Sequence, residues 1–92
     1  MRKRVECRIT GRVQMVMFRD FAKRNAQRLG LTGFVKNNLD GSVSAVAEGE
    51  EDDLRAFFKK LKRGSLLARV DNIETVWKEP TSDFSDFHIV YS

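Results

Sequence analysis

Ninety-two residues with a net charge of +4, 41% apolar content and one cysteine fit a single domain spanning 1–92 and exclude an intrachain disulfide framework. No run approaches the ~20 apolar residues that a membrane-spanning helix needs, so no membrane partner is expected. The N-terminal MRKRVECR has no apolar segment for export, and a cytoplasmic protein acting on anionic partners is expected.

In chain order, residues 5–10 alternate apolar and polar side chains with the period of two of a half-buried strand, and Gly11 is expected to break it. Cys7 shares the apolar face with Val5 and Ile9, which predicts a core cysteine rather than a reactive thiol. Phe21, Ala22, Asn25, Ala26 and Leu29 recur at helical spacing, and Gly30 stands where a helix stops in the left-handed conformation. A strand over 32–37 leads into Asp40-Gly41, a hairpin signal, and the strand over 42–48 returns antiparallel to it. Residues 50–53 place four acids where a helix dipole favours negative charge, and Leu54, Phe57, Phe58 and Leu61 form the apolar face of that helix. The basic run at 59–63 falls in its last turn, where cations are favoured, and reads as a solvated face rather than a binding patch. Residues 69–78 read as a long strand and 84–91 as a last one. The order β-α-β-β-α-β with an added C-terminal strand predicts a ferredoxin-like α+β fold: an antiparallel sheet with two helices on one face and a more solvated opposite face.

The segment GRVQMVMFR at 11–19 lies on the first strand-to-helix connection. Backbone N–H groups converging there, beside a helix N-terminus, make a cradle for an anion. The N–H groups of Gln14, Met15, Val16, Met17 and Phe18 are the candidate phosphate binders, and Arg19 adds a planar fork for two phosphate oxygens. The Lys-Ser/Thr ending of a nucleotide-binding P-loop is absent, so neither ATP nor magnesium is expected.

GRVQMVMFR together with LGLTGFVKNNLDGSV at 29–43 resembles the paired signature of the acylphosphatases, and AEG at 47–49, GSLLARV at 64–70 and FHIVY at 87–91 extend the resemblance over nearly the whole chain. That family has the ferredoxin-like fold predicted from the element order. The resemblance implies hydrolysis of acyl phosphates to a carboxylate and inorganic phosphate, with a small-molecule substrate, no cofactor and no metal. An acyl phosphate suits a site this sparse in acids and bases, because its carboxylate leaving group needs little protonation. Arg19 and the loop amides would stabilise the charge on the equatorial oxygens. Side-chain chemistry leaves Asn37 and Asn38 both open as the amide that orients water; the resemblance assigns the role to Asn37, in Val35-Lys36-Asn37. His88 alternates with Phe87 and Ile89 and is not expected to act.

Two positions depart from the family pattern. Met15 replaces the usual glycine of the loop, where positive φ or close approach is needed, and should lower activity relative to Met15→Gly. Ser65 stands where Gly-Pro is common, and only loop stiffness is expected to change. The alternative function is a non-catalytic phosphate- or anion-binding module with a loop impaired by Met15. A nucleic-acid-binding role is disfavoured because Val5, Cys7, Ile9, Val43, Ala45 and Ala47 offer no aromatic face for base stacking. A monomer is expected.

Overall fold

The computed structural model describes residues 1–91. Its elements are β1 (Arg2–Arg12), α1 (Phe18–Arg28), β2 (Thr32–Asn37), β3 (Val43–Glu50), α2 (Glu51–Arg63), β4 (Arg69–Lys78) and β5 (Phe87–Val90). The sheet order is β4-β1-β3-β2-β5. The β1–β3, β1–β4 and β2–β3 pairs are antiparallel as expected, whereas the added strand β5 runs parallel to β2 and makes the sheet mixed.

Strand parity builds the core. Val5, Cys7 and Ile9 of β1 stand opposite Ala47, Ala45 and Val43 of β3, and all six are buried. Onto this face α1 packs Phe18, Ala22 and Ala26, and α2 packs Leu54, Phe57 and Leu61. Burial raises the Cys7 thiol to about 11, against a weaker opposing effect of the Thr75 hydroxyl, so it is protonated at neutral pH. A Schellman arrangement ends α1: Gly30 at φ 72° donates to the Gln27 carbonyl at 3.0 Å and Leu31 to Ala26 at 2.9 Å.

Two element boundaries are corrected. Gly11 does not end β1, which continues to Arg12 through a register shift against β4 that leaves Asp71 without a partner. With φ 126°, Gly11 comes so close to β4 that a Cβ there would overlap the Arg69 carbonyl. The last strand begins at Phe87 rather than Phe84, because Phe84 leaves the strand line to pack edge-on against Phe34 at 5.8 Å. The second sheet face is the more solvated one, as expected, but it carries one buried carboxylate. Glu48 on that face is 0% exposed and accepts hydrogen bonds from Arg4, Thr81 N–H, the Thr81 hydroxyl and Ser82 N–H, all at 2.9 Å, which straps the 79–84 segment over the sheet.

Candidate active site

The connection from β1 to α1 alternates its side chains. Val13 and Phe18 are buried and Val16 packs against the core, while Met15 and Met17 point to solvent. Two left-handed residues produce this path, Met15 at φ 60° and Met17 at φ 61°. Met17 is also the N-cap of α1 and offers no capping side chain. Among the described residues, none of the N–H groups from Gln14 to Phe18 donates to another protein atom. Five consecutive donors, the last beginning a helix, are therefore available to a ligand that carries negative charge.

Side chains fix the loop on two sides. Gln14 Nε2 donates to the carbonyls of Asn38 at 2.7 Å and Ser42 at 2.8 Å, which ties the loop to the β2–β3 turn. Ser65 donates its hydroxyl to the Val16 carbonyl at 3.3 Å, so this residue, 49 positions away in sequence, rests against the β1–α1 loop instead of merely stiffening its own. The β2–β3 turn is itself braced. Asp40 Oδ1 accepts from Ser42 N–H at 3.0 Å and the Ser42 hydroxyl at 2.6 Å, and Asp40 also pairs with Arg8. The Ser42 hydroxyl, the Ser42 N–H and the Arg8 guanidinium hold the Asp40 carboxyl well below the usual carboxylate range.

Arg19 is the second residue of α1 and is half-buried. Its guanidinium lies 5.0 Å from the Tyr91 ring centroid, and among the described residues it makes no ion pair. The aromatic face thus supports Arg19 without neutralising it. The parallel β2–β5 register pairs Lys36 with Val90, so Tyr91 and the Arg19 above it come to the end of β2, where Asn37 stands.

Parity separates the two asparagines. Asn37 pairs with Val43 and shares the helix-covered face with Val35, the same face on which the loop and α1 lie. Its Oδ1 is buried and has no hydrogen-bond partner among the described residues. Asn38 is already engaged, donating through Nδ2 to the Ser42 hydroxyl at 2.9 Å and the Ser44 hydroxyl at 2.8 Å. The structure therefore brings Gln14–Phe18, Arg19 and Asn37 to one end of the sheet, with Asn38 as a turn brace. His88 lies outside this group, exposed and 3.1 Å from Asp86. Sequence reasoning missed the Gln14 side chain, Ser65 and Tyr91 as parts of the site. All three lie in the matched segments, Gln14 in GRVQMVMFR, Ser65 in GSLLARV and Tyr91 in FHIVY, but nothing in the sequence signalled these contacts.

A family model described as Acylphosphatase matches residues 5–89. The chain belongs to the acylphosphatase family. It is 48% identical over 90 residues to an acylphosphatase of Lactobacillus johnsonii, covering 97% of this chain and 99% of that one. It is 44% identical over 87 residues to an acylphosphatase of Salinibacter ruber, covering 95% and 92%. Among solved structures, an acylphosphatase from Bacillus subtilis superposes with a TM-score of 0.94 at 36% identity, covering 99% of this chain and 100% of that one. Membership carries the family's activity, the hydrolysis of acyl phosphates to a carboxylate and inorganic phosphate. No helix among the described residues is long and apolar enough to cross a membrane.

Proposed function

We propose that the N–H groups of Gln14, Met15, Val16, Met17 and Phe18, together with Arg19, hold the phosphoryl group of an acyl phosphate, and that Asn37 orients the attacking water. The observation that carries this reading is the set of five loop N–H groups without protein acceptors beside an arginine without an ion pair, with Asn37 on the same face of the sheet and its Oδ1 without a partner. An amide suits the water: it hydrogen-bonds to it and keeps the water's lone pair aimed at phosphorus, without the repulsion a carboxylate would exert on the phosphate. As the water oxygen bonds to phosphorus, the bond to the acyl oxygen breaks and the carboxylate leaves with that electron pair. The water's proton passes to a phosphate oxygen. The loop donors and Arg19 stabilise the charge spread over the equatorial oxygens, and they are in place before the reaction begins.

Met15 does not obstruct this site. Its side chain is 98% exposed, and its φ of 60° keeps the loop in the conformation that leaves the donors free. That favours catalysis over the alternative of an impaired anion-binding module. Every proposed part comes from one chain, so a monomer suffices.

The test is hydrolysis of acetyl phosphate in the presence of a chelator. Arg19→Ala is expected to lose about 3–4 kcal/mol of transition-state stabilisation, a 10²–10³-fold fall in kcat/KM. Asn37→Ala should lower kcat on the order of 10²-fold with little change in KM, because it removes positioning rather than phosphate binding. Full turnover in both variants would remove the site.

A further inference from the structure

The sheet order places β4 at the edge opposite β5, with β1 as its single neighbour. From Asn72 to Lys78 its pairing with β1 is unbroken, and the register shift opposite Thr10 and Gly11 lies outside this stretch. Among the described residues, none of its backbone groups makes a backbone hydrogen bond beyond β1. An edge strand points half of its N–H and C=O groups away from the sheet, and a straight one is a template for a further strand.

Helix α2 runs beside this edge and leaves a groove. A cavity of about 450 Å³ is lined by Arg55, Phe58, Lys59 and Lys62 of α2 and by Thr75 and Trp77 of β4. A second, of about 230 Å³, shares Phe58 and Lys62 and reaches Val70 and Ile73. Residues 55, 58, 59 and 62 recur at helical spacing, so α2 presents a second stripe beside its buried one of Leu54, Phe57 and Leu61. Arg55 is committed, paired with Glu51 and lying 5.0 Å from the Trp77 ring centroid. Lys59 and Lys62 are exposed and make no ion pair among the described residues. Asp71, in the second cavity, is paired with Arg69. On the other sheet face the strand shows Val76, 53% exposed, between Glu74 and Lys78, which pair with Arg8 and Glu6.

We infer that this edge docks an extended acidic segment of a partner protein as a sixth strand, with carboxylates toward Lys59 and Lys62 and apolar side chains beside Val76. Free cations on one side of the edge and an apolar residue on the other match a strand that alternates acidic and apolar positions. A nucleic acid has no row of N–H and C=O groups to meet β4, and Arg55 already takes up a face of Trp77 on which a base would stack. A second copy, added antiparallel at this edge, would set two basic α2 stripes against each other. The groove lies at the far edge of the sheet from Tyr91 and Arg19, so docking tethers the enzyme and leaves its turnover unchanged.

The probe is a capped peptide of about nine residues in which glutamate alternates with valine, long enough to cover a strand of this length. Trp77 is the single tryptophan, so its fluorescence reports occupancy of the groove in the full chain. Saturable binding that weakens as salt is raised is expected. Each exposed ion pair contributes up to about fivefold in affinity, so the double variant Lys59→Glu with Lys62→Glu should bind at least about tenfold more weakly. It should hydrolyse acetyl phosphate at the parental rate, which verifies its fold. An analogue with glutamine in place of glutamate should bind as weakly to the parent. An added strand bonds through alternate residues, so N-methylation of the glutamates or of the valines should abolish binding in one peptide and spare it in the other. Equal binding by the two methylated peptides overturns the added strand. Unchanged affinity in the double variant, displacement of the peptide by inorganic phosphate, a Trp77 response to poly(U) but not to the peptide, or a dimer in sedimentation that takes up no peptide each overturns the inference.

Discussion

Met15 and Met17 hold φ of 60° and 61° without being glycine, asparagine or aspartate, the residues that adopt this region at low cost. Each carries a penalty of ~1–2 kcal/mol, against the ~0.5–1 kcal/mol that glycine would cost in backbone entropy. Met15 makes little packing contact to lose, being 98% exposed. Met15→Gly is therefore expected to stabilise the fold by about 0.5–1 kcal/mol, read as a rise of a few degrees in Tm. An unchanged or lower Tm would show that the loop carries no strain at this position. At the same scale, the choice between Asn37 and Asn38 reduces to which side of a strand each occupies. Sequence chemistry alone could not make that choice, because both are amides at a strand end. Pairing of Asn37 with Val43 puts it on the loop side, and hydrogen bonds to Ser42 and Ser44 occupy Asn38. Asn38→Ala should therefore affect stability more than kcat, and a stopped reaction in that variant with intact folding would reverse the assignment.

The loop between β1 and α1 acts as an element only because other elements hold it. Gln14 contributes a side chain as well as a backbone donor, bridging to the Asn38 and Ser42 carbonyls and so setting the loop at a fixed distance from Asn37. Gln14→Ala removes two hydrogen bonds to carbonyls that each keep one backbone donor, from Gly41 and Asn38, which is expected to cost about 1–3 kcal/mol in urea unfolding. Activity should fall by more than tenfold if the proposed phosphoryl cradle and Asn37 act together, since they would no longer be in register. A stability loss without an activity loss would mean that the loop finds its position by other contacts. Element boundaries show the same dependence on neighbours. The continuation of β1 through Gly11 depends on β4 lying close enough to need a residue without a Cβ, and the late start of β5 depends on Phe34 being available to Phe84. Local patterns carry no trace of either neighbour. The helices, by contrast, were legible, because their apolar spacing, the acids at Glu51, Asp52 and Asp53 and the glycines at 30 and 64 all act within a few residues.

Across the whole molecule, Glu48 links the sheet to the segment that crosses its second face. Burial alone would raise its pKa, but hydrogen bonds from the Thr81 and Ser82 N–H groups, the Thr81 hydroxyl and the Arg4 guanidinium outweigh that and bring it to about 2, below its ordinary 4.5. A depressed carboxyl stabilises the fold above its unfolded pKa, and that contribution disappears as the pH falls through the folded value. Glu48→Gln should therefore lower stability by roughly 3 kcal/mol at neutral pH. The gap in Tm between parent and variant should narrow from about pH 5 downward and close near pH 2. A gap that stays constant with pH would mean that the carboxylate charge is not what holds the strap. The sequence by itself determined the element order, the ferredoxin-like class and the family, because alternation, helical spacing, turn residues and contiguous motifs are local signals. Tertiary structure alone decided that Asn37 rather than Asn38 faces the loop, that Gln14 and Ser65 brace it, that Tyr91 supports Arg19 and that Glu48 is buried. Each of these depends on strand register and on contacts between residues far apart in the chain, and a buried carboxylate or a free donor exists only once the surrounding elements have closed around it.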